Sequence, residues 1–103
     1  MPEPNPMDVF RKEAPAVAAA FHGLIQALVE TKGLDPKTKQ LVYIGIKASM
    51  GDSLAVRYHV PMAKKLGATR EEIRDAVLLT LATSGLGPMV SCLPAALSAF
   101  DAA

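Results

Sequence analysis

Apolar residues recur every three or four positions along most of this chain, and glycine or proline interrupts them at short intervals, a pattern that predicts helices throughout. The first is expected from about residue 7, broken at Pro15 and continued through a stripe of Val17, Phe21, Leu24 and Leu28 until Gly33. A second opens at Asp35-Pro36, a preferred cap followed by proline at the first helical position, and runs to about residue 50. The third covers residues 52–66, with Gly67 as terminator. Thr69 and Glu72 have capping-box spacing and start a fourth that continues to about residue 84. The last occupies about residues 87–100 and is expected to bend or break near Pro94. No stretch alternates apolar and polar residues between hairpin turns, so the fold class is all-α, five to six helices in a single domain over residues 1–103.

The fourth helix carries apolar groups on two faces: Ile73, Ala76, Val77 and Thr80 on one, Leu78, Leu79 and Ala82 on the other. A chain of 103 residues covers one face easily, and a second copy is the expected cover for the other; the alternative is a central helix packed by its own chain. Composition agrees, since half the residues are hydrophobic and only 20% are charged. A net charge of +1 and five aromatic residues without tryptophan give neither the electrostatics nor the stacking platforms of a nucleic-acid binder. The opening Met1-Pro2-Glu3-Pro4-Asn5-Pro6 is polar and proline-spaced, so neither secretion signal nor membrane anchor is expected, and the expected location is cytoplasmic.

Chemistry concentrates on the second and third helices. At 100° per residue, Ala55, Val56, His59, Met62, Ala63 and Leu66 share one side of the third, with Ser53, Arg57, Lys64 and Lys65 opposite, so His59 points inward. His22 lies off the apolar stripe of its own helix, which leaves His59 the candidate for proton transfer in a sheltered site, against the plainer reading of a satisfied core histidine. Asp52 lies on the same side two turns earlier, about 10.5 Å away along a straight helix, too far for a direct bond. It reads as an N-cap before a catalytic carboxylate. Pro61 leaves the carbonyl of Arg57 unpaired and is expected to bend the segment beside His59. On the second helix Gln40, Tyr43 and Lys47 form a polar stripe. It is either a wetted face or a wall turned toward His59, in which case Gln40 orients the imidazole and Lys47 attracts an anionic substrate.

The single cysteine, Cys92, excludes an intrachain disulfide or a Cys-x-x-Cys pair, and its apolar neighbours mark it as inert packing. No phosphate loop, paired metal-binding histidines or dense acidic cluster occurs, so neither nucleotide nor metal is expected.

From residue 34 to about residue 82 the sequence resembles the carboxymuconolactone decarboxylase family, which includes the alkyl hydroperoxidase D-like proteins. The resemblance is carried by Leu34-Asp35-Pro36-Lys37-Thr38-Lys39-Gln40-Leu41-Val42, by Gly51 and His59, and by the run from Ala63 through the Gly67-Ala68-Thr69-Arg70-Glu71-Glu72-Ile73 turn. It implies an alkyl hydroperoxidase D-like helical bundle assembled as a homotrimer or homohexamer. In the redox branch a glutamate, two cysteines and a histidine act together, and their positions here hold Gln40, Asp52, Ala55 and His59. Neither aspartate nor alanine supplies a thiolate, and a neutral amide does not shuttle a proton, so disulfide-based peroxidase activity is not expected. The decarboxylase branch, without the cysteine pair, implies cofactor-independent loss of carbon dioxide from a small anionic metabolite, with His59 as the acid–base residue and Gln40, Tyr43, Lys47 and Asp52 as substrate-binding candidates. Two other readings are a family oxidoreductase working through Cys92 and a non-catalytic oligomeric ligand-binding module.

Overall fold

The computed structural model describes residues 5–103, so the opening Met1-Pro2-Glu3-Pro4 lies outside the described residues. Every element among them is helical: α1 (Pro6–Glu13), α2 (Pro15–Glu30), α3 (Pro36–Ser49), α4 (Ser53–Lys65), α5 (Arg70–Leu78), α6 (Thr80–Thr83) and α7 (Leu86–Ala102). They form two compact units, one up to Gly33 and one from Leu34 onward.

In the first unit Asn5 caps α1 by accepting from the Met7 N–H, and Phe10 meets Phe21 of α2 with ring centroids 5.9 Å apart. Between Pro15 and Val29 the second helix carries no charged residue, yet only Ala18 is buried within it.

In the second unit α3, α4, α5 and α7 enclose a core of Ile44, Ala48, Val56, Val60, Ala63, Ile73, Val77, Cys92 and Ala96. Two glycine turns fix how these helices meet. Gly51 (φ 74°) and Gly67 (φ 99°) adopt the left-handed conformation that closes a helix with paired carbonyl bonds. After α3, the N–H groups of Gly51 and Asp52 reach the carbonyls of Ala48 and Lys47, each at 3.0 Å. After α4, those of Gly67 and Ala68 reach Lys64 and Ala63 in the same way. Thr69 and Glu72 then form the expected capping box of α5, and Lys37 binds Glu72 at 3.0 Å, tying the start of α3 to α5.

Three expectations need correction. Helix α7 is unbroken at Pro94, and the carbonyl this residue orphans belongs to Val90, an exposed position open to solvent. The fourth helix breaks at Leu79 into α5 and a short α6, where the buried Thr80 hydroxyl donates to the Val77 carbonyl at 2.6 Å and competes with the backbone ladder. On α4 the buried stripe is Val56, Val60 and Ala63, whereas Met62 and Leu66 are exposed. The helix is pressed between α3 and α7, which rotates its inward face and leaves His59 on the shoulder of the core. No helix among the described residues is long and apolar enough to cross a membrane.

Candidate functional site

The turn at Gly51 sends α4 back along α3, so residues at matching distances from it stand side by side. Lys47 and Asp52 flank the turn. Further along, by about 12–16 Å at 1.5 Å per residue, His59 and Gln40 come level. The Nδ1 atom of His59 lies 3.0 Å from Oε1 of Gln40. An amide oxygen only accepts, so Nδ1 carries the proton, and Nε2 of the neutral ring presents its lone pair. Tyr43, one turn along α3, stacks on the imidazole with ring centroids 4.0 Å apart and planes tilted by 33°. Tyr58 lies 6.4 Å away, its plane tilted by 52°, and is largely exposed.

Lys47 completes the stripe. Its ammonium is 5.8 Å from the centre of the Tyr43 ring and 3.6 Å from Oδ2 of Asp52. The other carboxylate oxygen of Asp52 accepts from the Ala55 N–H at 3.0 Å, the N-cap of α4. All five candidate residues thus line one seam between α3 and α4, with Asp52 reaching Lys47 instead of His59. The His59 pKa is lowered from the ordinary imidazole value, first by burial and then by the positive charge of Lys47. At neutral pH the ring is therefore the uncharged form.

Cys92 is fully buried, its Sγ 3.8 Å from the Ala48 carbonyl, and burial pushes its thiol up. A thiol so placed is neither ionised nor reachable, which removes the oxidoreductase reading through Cys92. His22 is exposed on α2. Among the described residues no group of three or more histidine, cysteine or acidic side chains is placed to hold a metal ion.

Sequence reasoning did not foresee an open groove of about 660 Å³ between α3 and the α5–α6 segment, lined by Leu41, Val42, Ile46, Ala76, Leu79 and Thr80 among others. Of the two apolar faces read on the fourth helix, Ala76 and Thr80 on one and Leu79 on the other line it. The groove does not include His59.

The profile of the carboxymuconolactone decarboxylase family matches residues 15–102. The chain belongs to the carboxymuconolactone decarboxylase family. Among its relatives is the uncharacterized protein MJ0742 of Methanocaldococcus jannaschii, 37% identical over 81 residues that make up 78% of each chain. The uncharacterized protein H16_B0147 of Cupriavidus necator is 28% identical over 88 residues, 85% of this chain and 77% of that one. The crystal structure of apo-lpg0406, a carboxymuconolactone decarboxylase family protein from Legionella pneumophila, superposes with a TM-score of 0.82 at 31% identity, over 93% of this chain and 85% of that one. Membership of this decarboxylase family accounts for the all-helical fold, while the thiols of its redox branch are absent from the α3–α4 seam.

Proposed function

We propose that the chain is a cofactor-independent lyase that removes carbon dioxide from a small carboxylate-bearing metabolite, with His59 as the proton carrier. The observation behind this reading is the 3.0 Å bond from His59 Nδ1 to Gln40, which holds the ring by one nitrogen and, in this reading, leaves the other for the reacting proton. Lys47, steered by Asp52, is the cation that receives the substrate carboxylate. Tyr43 and the partly buried seam supply the poorly hydrated surface in which a carboxylate is less stable than departing carbon dioxide.

The arriving anion offsets the repulsion between Lys47 and the ring, so the imidazole takes a proton from water. The carbon–carbon bond then breaks, its electron pair stays on the substrate carbon, and Nε2–H delivers the proton there. Solvent restores the imidazolium for the next turnover. The same reading takes the chain as a subunit of a cytoplasmic homo-oligomer, trimer or hexamer.

The test is to incubate the protein with a panel of small lactone and keto acids in deuterated water. Deuterium is expected at the carbon that lost carbon dioxide, and His59→Gln is expected to lower turnover by about 10²- to 10⁴-fold with the helical spectrum intact. Turnover unchanged in His59→Gln rejects the assignment. Tight binding of a panel member recovered unchanged makes the chain a binding module instead.

A further inference from the structure

The polar atoms of the α3–α4 seam divide into those the chain satisfies and those it leaves open to a ligand. Oε1 of Gln40 is taken by the imidazole, and one oxygen of Asp52 by the Ala55 N–H. Lys47 is different. Its side chain is 28% exposed, and its ammonium stands 3.6 Å from Oδ2 of Asp52, an ion pair too long to be a hydrogen bond. Among the described residues no hydrogen bond fills its N–H groups. The other cations nearby are placed or occupied elsewhere: Arg57 lies on the opposite side of α4, Lys64 donates to the Phe100 and Ala103 carbonyls, and Lys39 is already engaged. With His59 uncharged and Asp52 offsetting Lys47, the seam is close to neutral. It suits one carboxylate, whereas a second on the same molecule meets the Asp52 charge without a cation of its own.

An apolar lip runs along the seam from that cation. The Tyr43 ring bridges Lys47 and the imidazole, its centre 5.8 Å from the ammonium and 4.0 Å from the centre of the His59 ring. On the outer side of α4, Tyr58 stands 6.4 Å from the same imidazole and is 64% exposed, and Met62, one turn further along that face, is 43% exposed. From Asp52 to Met62 the lip is about 15 Å long at 1.5 Å per residue. Aromatic faces and a thioether gain both burial and ring contact when an apolar body covers them, most of all when that body carries a ring. A small polar acid held at Lys47 alone leaves the lip in water. We propose that the seam takes a monocarboxylic acid with an elongated, ring-bearing apolar body, the carboxylate meeting Lys47 and the body lying along Tyr43 and Tyr58 toward Met62. A dicarboxylate of the same size is the poorer ligand. The proposal rests on the reading of the seam as a carboxylate site, and it concerns which acid binds, not whether carbon dioxide leaves.

Binding is read from the His59 ring-proton signals, identified by their loss in His59→Gln, as the full chain is titrated with acetate, with 3-phenylpropionate and with 3-(4-carboxyphenyl)propionate. The phenyl monoacid is expected to bind about tenfold more tightly than either of the others. Tyr58→Ala and Met62→Ala, both at exposed positions, are each expected to weaken it by about three- to tenfold and to leave acetate unchanged, while Lys47→Gln weakens all three. Equal affinities for acetate and 3-phenylpropionate, tighter binding of the dicarboxylate, or a phenyl-acid affinity that neither alanine variant changes overturns the proposal. So does the absence of any signal shift with all three acids at about 10 mM. Release of carbon dioxide is a separate readout on the lactone and keto-acid panel. If its apolar monoacids bind with this preference and none loses carbon dioxide, the ligand class stands and the lyase reading falls. If dicarboxylates alone lose it, the ligand class is overturned and His59 remains the proton carrier.

Discussion

His59 gains its character from three neighbours that act differently. Gln40 fixes which nitrogen holds the proton, the Tyr43 ring displaces water from one face, and Lys47 adds a positive charge that disfavours the imidazolium. Each can be altered separately. Lys47→Gln removes the repulsion and leaves Asp52 without its cation, so the His59 pKa is expected to rise toward the ordinary value, followed by NMR titration of the ring protons. Burial is the larger cause of the depression, so the recovery is expected to be incomplete. Gln40→Glu places a carboxylate at Nδ1 and is expected to raise the same pKa, while Gln40→Leu is expected to lower kcat more than it changes KM, because it disturbs orientation instead of substrate binding. The types of these residues and the stripe they form on α3 were legible in the sequence. That the stripe faces His59 instead of solvent was not, because periodicity fixes positions around one helix axis and says nothing of which neighbour lies beside it.

Helix ends do much of the positioning. Gly51 lets α4 fold back so that Gln40 and His59 come level, and its φ of 74° lies where a side chain is strained. Gly51→Ala is therefore expected to cost about 1–2 kcal/mol in denaturant unfolding and to weaken the Gln40–His59 pairing. Asp52 has two roles in one side chain, and two substitutions separate them. Asp52→Asn keeps an N-cap and loses the ion pair with Lys47, whereas Asp52→Ala loses both and is expected to cost about 1 kcal/mol more in stability. Boundaries were readable wherever a residue type has local meaning, as with Asp35-Pro36, Gly67 and the Thr69 capping box. Pro94 and Leu79 misled for opposite reasons. The carbonyl orphaned by the first belongs to exposed Val90, where its loss is tolerated, and a buried hydroxyl at Thr80 accompanies the break in a helix whose pattern ran on.

Across the whole molecule, pH dependence has a definite sign. His59 holds fewer protons folded than unfolded between its lowered pKa and the ordinary value of 6.5, so stability is expected to fall as pH drops through that window and to level off below it. His59→Gln is expected to flatten this slope in urea unfolding followed from pH 8 to 5. Asp35, Glu72 and Asp101 act lower on the scale: their pKa values are depressed by the Thr38 backbone, the Thr69 backbone and Arg70 respectively, so what they add is lost as pH falls further through the carboxylate range. The order of apolar and polar positions was enough to determine helices, caps, an inert cysteine and an excess of greasy surface, because each depends on neighbours a few residues away. Only the tertiary structure decided which face of α4 is buried, that Lys47 reaches Asp52, and that a groove opens beside α5. Those outcomes depend on helix rotations set by simultaneous packing of α3, α4, α5 and α7, a many-body balance of volume and contact that no single stretch of chain contains.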